Sequence, residues 1–87
     1  MKAVITVIGK DMVGILAKVS GTCAETNANV VEVTQSILQD YFAMIMLIDI
    51  ENMTCSLEDL KSKLEENVPS MEIHVMHEDI FNSMHRI

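Results

Sequence analysis

Eighty-seven residues suffice for one domain with a single small core, so extra burial through self-association is expected. Thirteen acids against six lysines and arginines give a net charge of −7, which repels phosphate backbones and anionic lipid and argues against nucleic acid and membrane surfaces as partners. Aromatics make up only 3% of the chain while methionine reaches eight residues, so the core must be aliphatic and adaptable.

Residues 3 to 8 read as a first strand, because the β-branched Val4, Ile5, Val7 and Ile8 dominate and both alternating faces are largely apolar. The stretch Gly9-Lys10-Asp11-Met12-Val13-Gly14-Ile15-Leu16 then joins this strand to a helix expected from Val13 to about Asn27. Its apolar positions are Ile15, Leu16, Val19 and Cys23, with Lys18, Thr22 and Glu25 on the other side. Asp11 is placed to cap that helix, and Gly14 leaves the backbone open to close approach. Unpaired N–H groups then point outward at a partially positive helix end, which makes the turn a ready site for a small anion. Asn27-Ala28-Asn29 ends the helix, since Asn tolerates the left-handed cap conformation.

Val30 to Leu38 reads as a second strand with Val31, Val33 and Ile37 on one face and Glu32, Thr34 and Ser36 on the other. A short polar break at Gln39-Asp40 implies a hairpin into a third strand, Tyr41 to Ile50, with Phe42, Met44, Met46, Ile48 and Ile50 on one side. Glu51 to Cys55 connects to a second helix opened by Ser56-Leu57-Glu58-Asp59, which resembles a capping box, and closed by Pro69. Leu57, Leu60, Leu64 and Val68 form its apolar stripe. Met71 to Met76 reads as a fourth strand. Ile80, Phe81, Met84 and Ile87 recur at helical spacing in a tail over residues 78–87. The order is the split βαβ of ferredoxin-like folds, an α+β sandwich of four antiparallel strands backed by two helices, with the whole of 1–87 as one domain.

The fold alone does not give function. A copper carrier of this shape needs thiolates in the first turn. An RNA-recognition domain needs aromatic platforms and basic flanks, and acyl-phosphate hydrolysis needs a cation in the first turn. None of these is written in the sequence. His74, His77 and His85 do not converge as metal ligands, because the first two fall on opposite faces of a strand and the third in the tail. Cys23 falls on an apolar helix stripe and reads as a small buried hydrophobe, and Cys55 reads as exposed near a helix start. Two cysteines fit neither a disulfide framework nor a paired metal spacing. With no signal-like leader and no membrane-spanning run, a cytoplasmic protein is expected. No cofactor, no metal and no catalysis are implied, since no nucleophile, base and orienting group meet at one site.

The segments Lys2-Ala3-Val4-Ile5-Thr6-Val7-Ile8-Gly9-Lys10-Asp11, Val13-Gly14-Ile15-Leu16-Ala17-Lys18-Val19, Asn27-Ala28-Asn29-Val30 and Leu47-Ile48-Asp49-Ile50 together resemble an ACT domain. The likeness is greatest to the small stand-alone ACT proteins that are similar to glycine-cleavage-system regulators. The resemblance implies a βαββαβ domain that forms a homodimer and binds an amino acid between subunits. It implies ligand contacts from a polar residue in the first turn, from the backbone beside the turn glycine, and from an Asn opening the second strand of the neighbouring subunit. Asp11, Gly14 and Asn29 match those positions, and Met12, Val13 and Ile15 supply the adjoining backbone. Val13 stands where the family commonly has Pro, and Gly9 where some members carry a hydrogen-bonding side chain. The expected function is a regulatory module for a small amino acid or related carboxylate. The alternative is a ligand-free interaction module controlling a partner enzyme or regulator.

Overall fold

In the computed structural model, residues 1–10 and 13–84 are described. Alternation builds the sheet: β1 (Lys2–Gly9), β2 (Asn29–Leu38), β3 (Tyr41–Asp49) and β4 (Glu72–His77) lie in the order β2-β3-β1-β4, every neighbour antiparallel. The two central strands send Ala3, Ile5 and Val7, and Phe42, Met44, Met46 and Ile48, into a single core. Helices α1 (Ile15–Glu25) and α2 (Leu57–Asn67) close that face with Ile15, Val19 and Cys23, and with Leu60 and Leu64. Each such large aliphatic side chain contributes about 1.5 to 3 kcal/mol of burial free energy. Met44 and Met46 are fully buried, as expected of flexible core fillers. A third helix, α3 (Glu78–Met84), packs against β1 and β4. The architecture is the ferredoxin-like sandwich, with three helices.

Local chemistry explains the boundaries. Ser56 Oγ accepts the Asp59 N–H at 3.1 Å, the forward half of the capping box, and Glu58 and Asp59 complement the α2 dipole. Asn27 takes φ 61 just past α1, and its side-chain amide donates to the Asn52 carbonyl at 2.9 Å. Gln39, at φ 55, turns the two-residue hairpin loop, which sets Leu38 opposite Tyr41 without a glycine.

Several expectations are corrected. Helix α1 begins at Ile15 and ends at Glu25, shorter than the apolar spacing suggested. Thr22 is buried, because its hydroxyl donates to the Lys18 carbonyl at 2.9 Å and accepts from the Asn67 amide of α2, which satisfies it between the two helices. Leu16, expected on the core stripe, is 41% exposed. Val31 is an extra residue at a β-bulge, between Val30 opposite Ile48 and Glu32 opposite Leu47. It is exposed, as is Ile37, because β2 is an edge strand. Strand β3 stops at Asp49, and Ile50 packs partly buried against the core from the following loop. Cys55 is also partly buried against the core rather than exposed. In the tail, Ile80 and Met84 remain exposed and only Phe81 is partly covered, while Ile87 and His85 lie outside the described residues.

Candidate functional site at the first strand-to-helix turn

Strand β1 ends at Gly9 for a packing reason. A Cβ there would collide with the Met71 thioether, so the position accepts only glycine without rearrangement. Any side chain at this point requires the flexible Met71 thioether to move aside. Beyond it Lys10 lies over the Tyr41 ring, with Nζ 5.6 Å from the centroid. Asp11 and Met12 lie outside the described residues.

Gly14 is the N-cap of α1, and the cap expected at Asp11 lies outside the described residues. Gly14 takes φ 73 and ψ 5, the left-handed region, and among the described residues no side chain caps the helix there. A Cβ built on Gly14 meets nothing within 4 Å, so the space in front of the turn is open. The Lys18 N–H reaches the Gly14 carbonyl at 2.9 Å. The amides of Ile15, Leu16 and Ala17 therefore have no acceptor within the helix and face its positive end. The helix start expected at Val13 lies two residues too early. The signal that could have shifted it was Gly14 itself, a residue favoured where φ must be positive. Around the turn Val13 is 83% exposed, Ile15 is buried as an anchor, and no acid occupies the first turn of α1.

Asn29 is not beside this turn within one chain. It opens β2 opposite Asp49, which pairs with Lys2, so it stands at the start of β1. The turn follows Gly9, whose level across the sheet runs through Phe42 to Ile37. The sheet's full strand length thus separates Asn29 from the turn. The two do not meet within one chain, because α1 returns the chain to the opposite end of the sheet.

The other candidates stay apart from the turn. His74 Nε2 sits 3.2 Å from Glu72 Oε1 in an exposed pair on β4. Burial pushes the Cys23 thiol up to about 11, so it stays protonated and unreactive at neutral pH. Among the described residues, no cluster of His, Cys, Asp or Glu is placed to hold a metal ion, and no helix is long and apolar enough to cross a membrane.

A four-stranded sheet in this order, two helices on one face and a glycine-capped first turn define a ferredoxin-like βαββαβ domain. A profile of the ACT domain family matches residues 2–78, and the chain belongs to that family. Domains of this kind are typically regulatory, ligand-binding modules. The chain is 53% identical over 89 residues to a UPF0237 protein of Clostridium perfringens, with 100% of both chains covered. It is similar to an ACT domain protein from Streptococcus pneumoniae, with a TM-score of 0.79, 34% identity and 93% of each chain covered. The regulatory subunit of aspartate kinase from Thermus thermophilus shares the fold, with a TM-score of 0.64 and 23% identity over 85% of this chain and 49% of that one.

Proposed function

We propose that this chain is a non-catalytic regulatory module that binds a small amino acid, or a related carboxylate, between two copies of itself. The site comprises the turn from Asp11 through Met12, Val13 and Gly14 to Ile15, completed by Asn29 of the partner subunit. The observation that carries this reading is the pairing register. In one chain Asn29 is a strand length from the turn, whereas a neighbour that runs its β2 antiparallel to this β2 brings its own Asn29 level with the turn end of the sheet. Edge strand β2 suits that pairing: it has ten residues, no Pro and no Lys, and exposed apolar side chains at Val31, Ile37 and Leu38. Helix α1 packs beside β2, which sets the turn on the side of the shared edge.

The electrostatics select the ligand class. A carboxylate suits the free amides at the start of α1, and an ammonium suits the Asp11 carboxylate. A simple carboxylic acid meets Asp11 with like charge, so amino acids are preferred over their deaminated analogues. At about one hundred times the dissociation constant, ligand stabilises by roughly 2.7 kcal/mol, a melting shift on the order of ten degrees or more in a domain this small. A thermal-shift screen of the amino acids against their deaminated analogues tests this. Gly14→Val should abolish the shift, and Asp11→Ala should weaken it chiefly for the amino acid. If no amino acid at millimolar concentration moves the melting temperature, the ligand reading fails and control of a partner enzyme or regulator without ligand takes its place.

A further inference from the structure

The sheet face turned away from α1 and α2 holds a recess of about 340 Å³, and the sequence explains why it stays open. Along β3 the side chains on this face are Tyr41, Ala43, Ile45 and Leu47, and the small Ala43 stands opposite Ile8 of β1 and Ser36 of β2. Helix α3 folds back over β1 and β4 and raises Phe81 and Met84 beside that low point. A flat sheet face thereby becomes a recess floored by Thr6, Ala43 and Ile45 and walled by the helix. The charged side chains of this face, Lys2, Glu32, Asp49 and Glu72, are not among its lining residues.

One corner of the lining is polar. Thr6 and His74 are cross-strand neighbours on β1 and β4, and both line the recess. Thr6 is half-buried, and its hydroxyl has no hydrogen-bond partner among the described residues. His74 Nε2 lies 3.2 Å from Glu72 Oε1. A carboxylate only accepts, so in the neutral ring Nε2 carries the proton and Nδ1 remains the acceptor. The corner therefore offers a hydroxyl that can donate or accept beside a ring nitrogen that accepts.

We propose that this recess binds a small uncharged molecule of one or two rings bearing a single hydroxyl, with the rings against Ile45, Phe81 and Met84 and the hydroxyl between Thr6 and His74. A cavity of about 150 Å³ holds one benzene ring, so the volume here admits two fused rings. A hydroxyl suits the corner because it donates to Nδ1 and accepts from Thr6 at once. Charge is disfavoured in either sign. An ammonium would lose its hydration among apolar side chains, since His74 already engages the Glu72 carboxylate. A carboxylate would meet the Nδ1 lone pair with Glu72 behind it. Met76 and Met84 in the lining are unbranched and adjust to the outline of a ring. The recess lies on the sheet face opposite α1, and the inference does not rest on the amino-acid reading, which calls for a charged ligand.

Titration of the full chain with 2-naphthol, followed by naphthol fluorescence and by amide NMR shifts, tests this. The expected result is one saturable site per chain, with shifts centred on Thr6, Ala43 and His74 and not on Gly14. Thr6→Val keeps the shape and removes the hydroxyl. It should weaken 2-naphthol by about five- to tenfold, the contribution of one hydrogen bond, and leave naphthalene unchanged. 2-Naphthoate should bind at least about tenfold more weakly than 2-naphthol, because its charge loses hydration in the recess. Ala43→Phe fills the floor and should abolish binding of 2-naphthol and naphthalene alike, with far-UV circular dichroism as the check on folding. Where that variant does not fold, Thr6→Val decides. The inference is overturned by no saturation up to the solubility of 2-naphthol, by shifts centred on Gly14, by equal losses for 2-naphthol and naphthalene in Thr6→Val, or by 2-naphthoate binding as tightly as 2-naphthol. Binding that disappears as protein concentration rises assigns the face to a second copy and also overturns it. A melting shift with amino acids bears on the turn alone, so the two readings fail separately.

Discussion

Gly14 joins backbone conformation to the proposed site most directly at the residue scale. Its φ of 73 is a conformation that L side chains adopt at a cost of about 1 to 2 kcal/mol, yet a Cβ there would touch nothing. Gly14→Ala should therefore destabilise by about 1 to 2 kcal/mol through conformation alone, and Gly14→Asn by less, because Asn tolerates the left-handed region. Urea unfolding midpoints measure both, and an Ala variant as stable as the wild type would contradict the strain. Gly9 is the opposite case: its backbone is that of an ordinary strand, and the neighbouring Met71 makes the demand. Cys23 contributes a dependence on pH. Its thiol, near 9.0 when unperturbed, is raised to about 11 in the fold. The unfolded chain therefore releases its proton first as pH rises. This contribution is fully present below pH 9 and is lost as pH climbs from there through about 11, amounting at most to 2 to 3 kcal/mol or so. Equilibrium unfolding from pH 8 to 11 should show Cys23→Ala losing less stability over that window than the wild type, and native Cys23 should not react with a thiol reagent at neutral pH.

Among the elements, α2 is specified locally and α1 by its surroundings. The Ser56 hydroxyl caps α2, so Ser56→Ala should cost about 1 kcal/mol, read as a shift in the denaturation midpoint with an unchanged slope. Among the described residues, helix α1 has no side-chain cap, and its first turn holds no acid. What holds it is burial of Ile15, Val19 and Cys23, together with the hydrogen-bonded contact of Thr22 with Asn67. Its far end is firmly tied, for Thr26 accepts the Thr54 N–H at 2.9 Å and Asn27 reaches Asn52. Ligand at the turn would therefore act on the freer end of a helix anchored at the other.

As a whole molecule, the chain separates the residues of the proposed site within a single copy. The turn and Asn29 are at opposite ends of the sheet, and apolar side chains stay exposed along one edge and across one face. Association should stabilise the fold by mass action. The melting temperature should rise with protein concentration over about a hundredfold range, and a constant value would argue against the proposed β2-edge pairing.

The strand and helix order was legible in the sequence because the apolar period changes cleanly from two to 3.6 and back, and because Ser56, Pro69 and Asn27 mark ends by local chemistry. The ACT segments were legible as a set for the same reason: they are local. The sequence by itself therefore determined the fold class, the acidic surface, the buried Cys23 and the existence of an open turn before α1. Only the tertiary structure decided that Gly14 is the cap, that Thr22 is inside and Leu16 partly outside, that Gly9 answers to Met71, that a bulge displaces Val31, and that Asn29 stands a strand length away from the turn. Each of these depends on a contact between residues far apart in the chain, and periodicity along one segment carries no information about what packs against it.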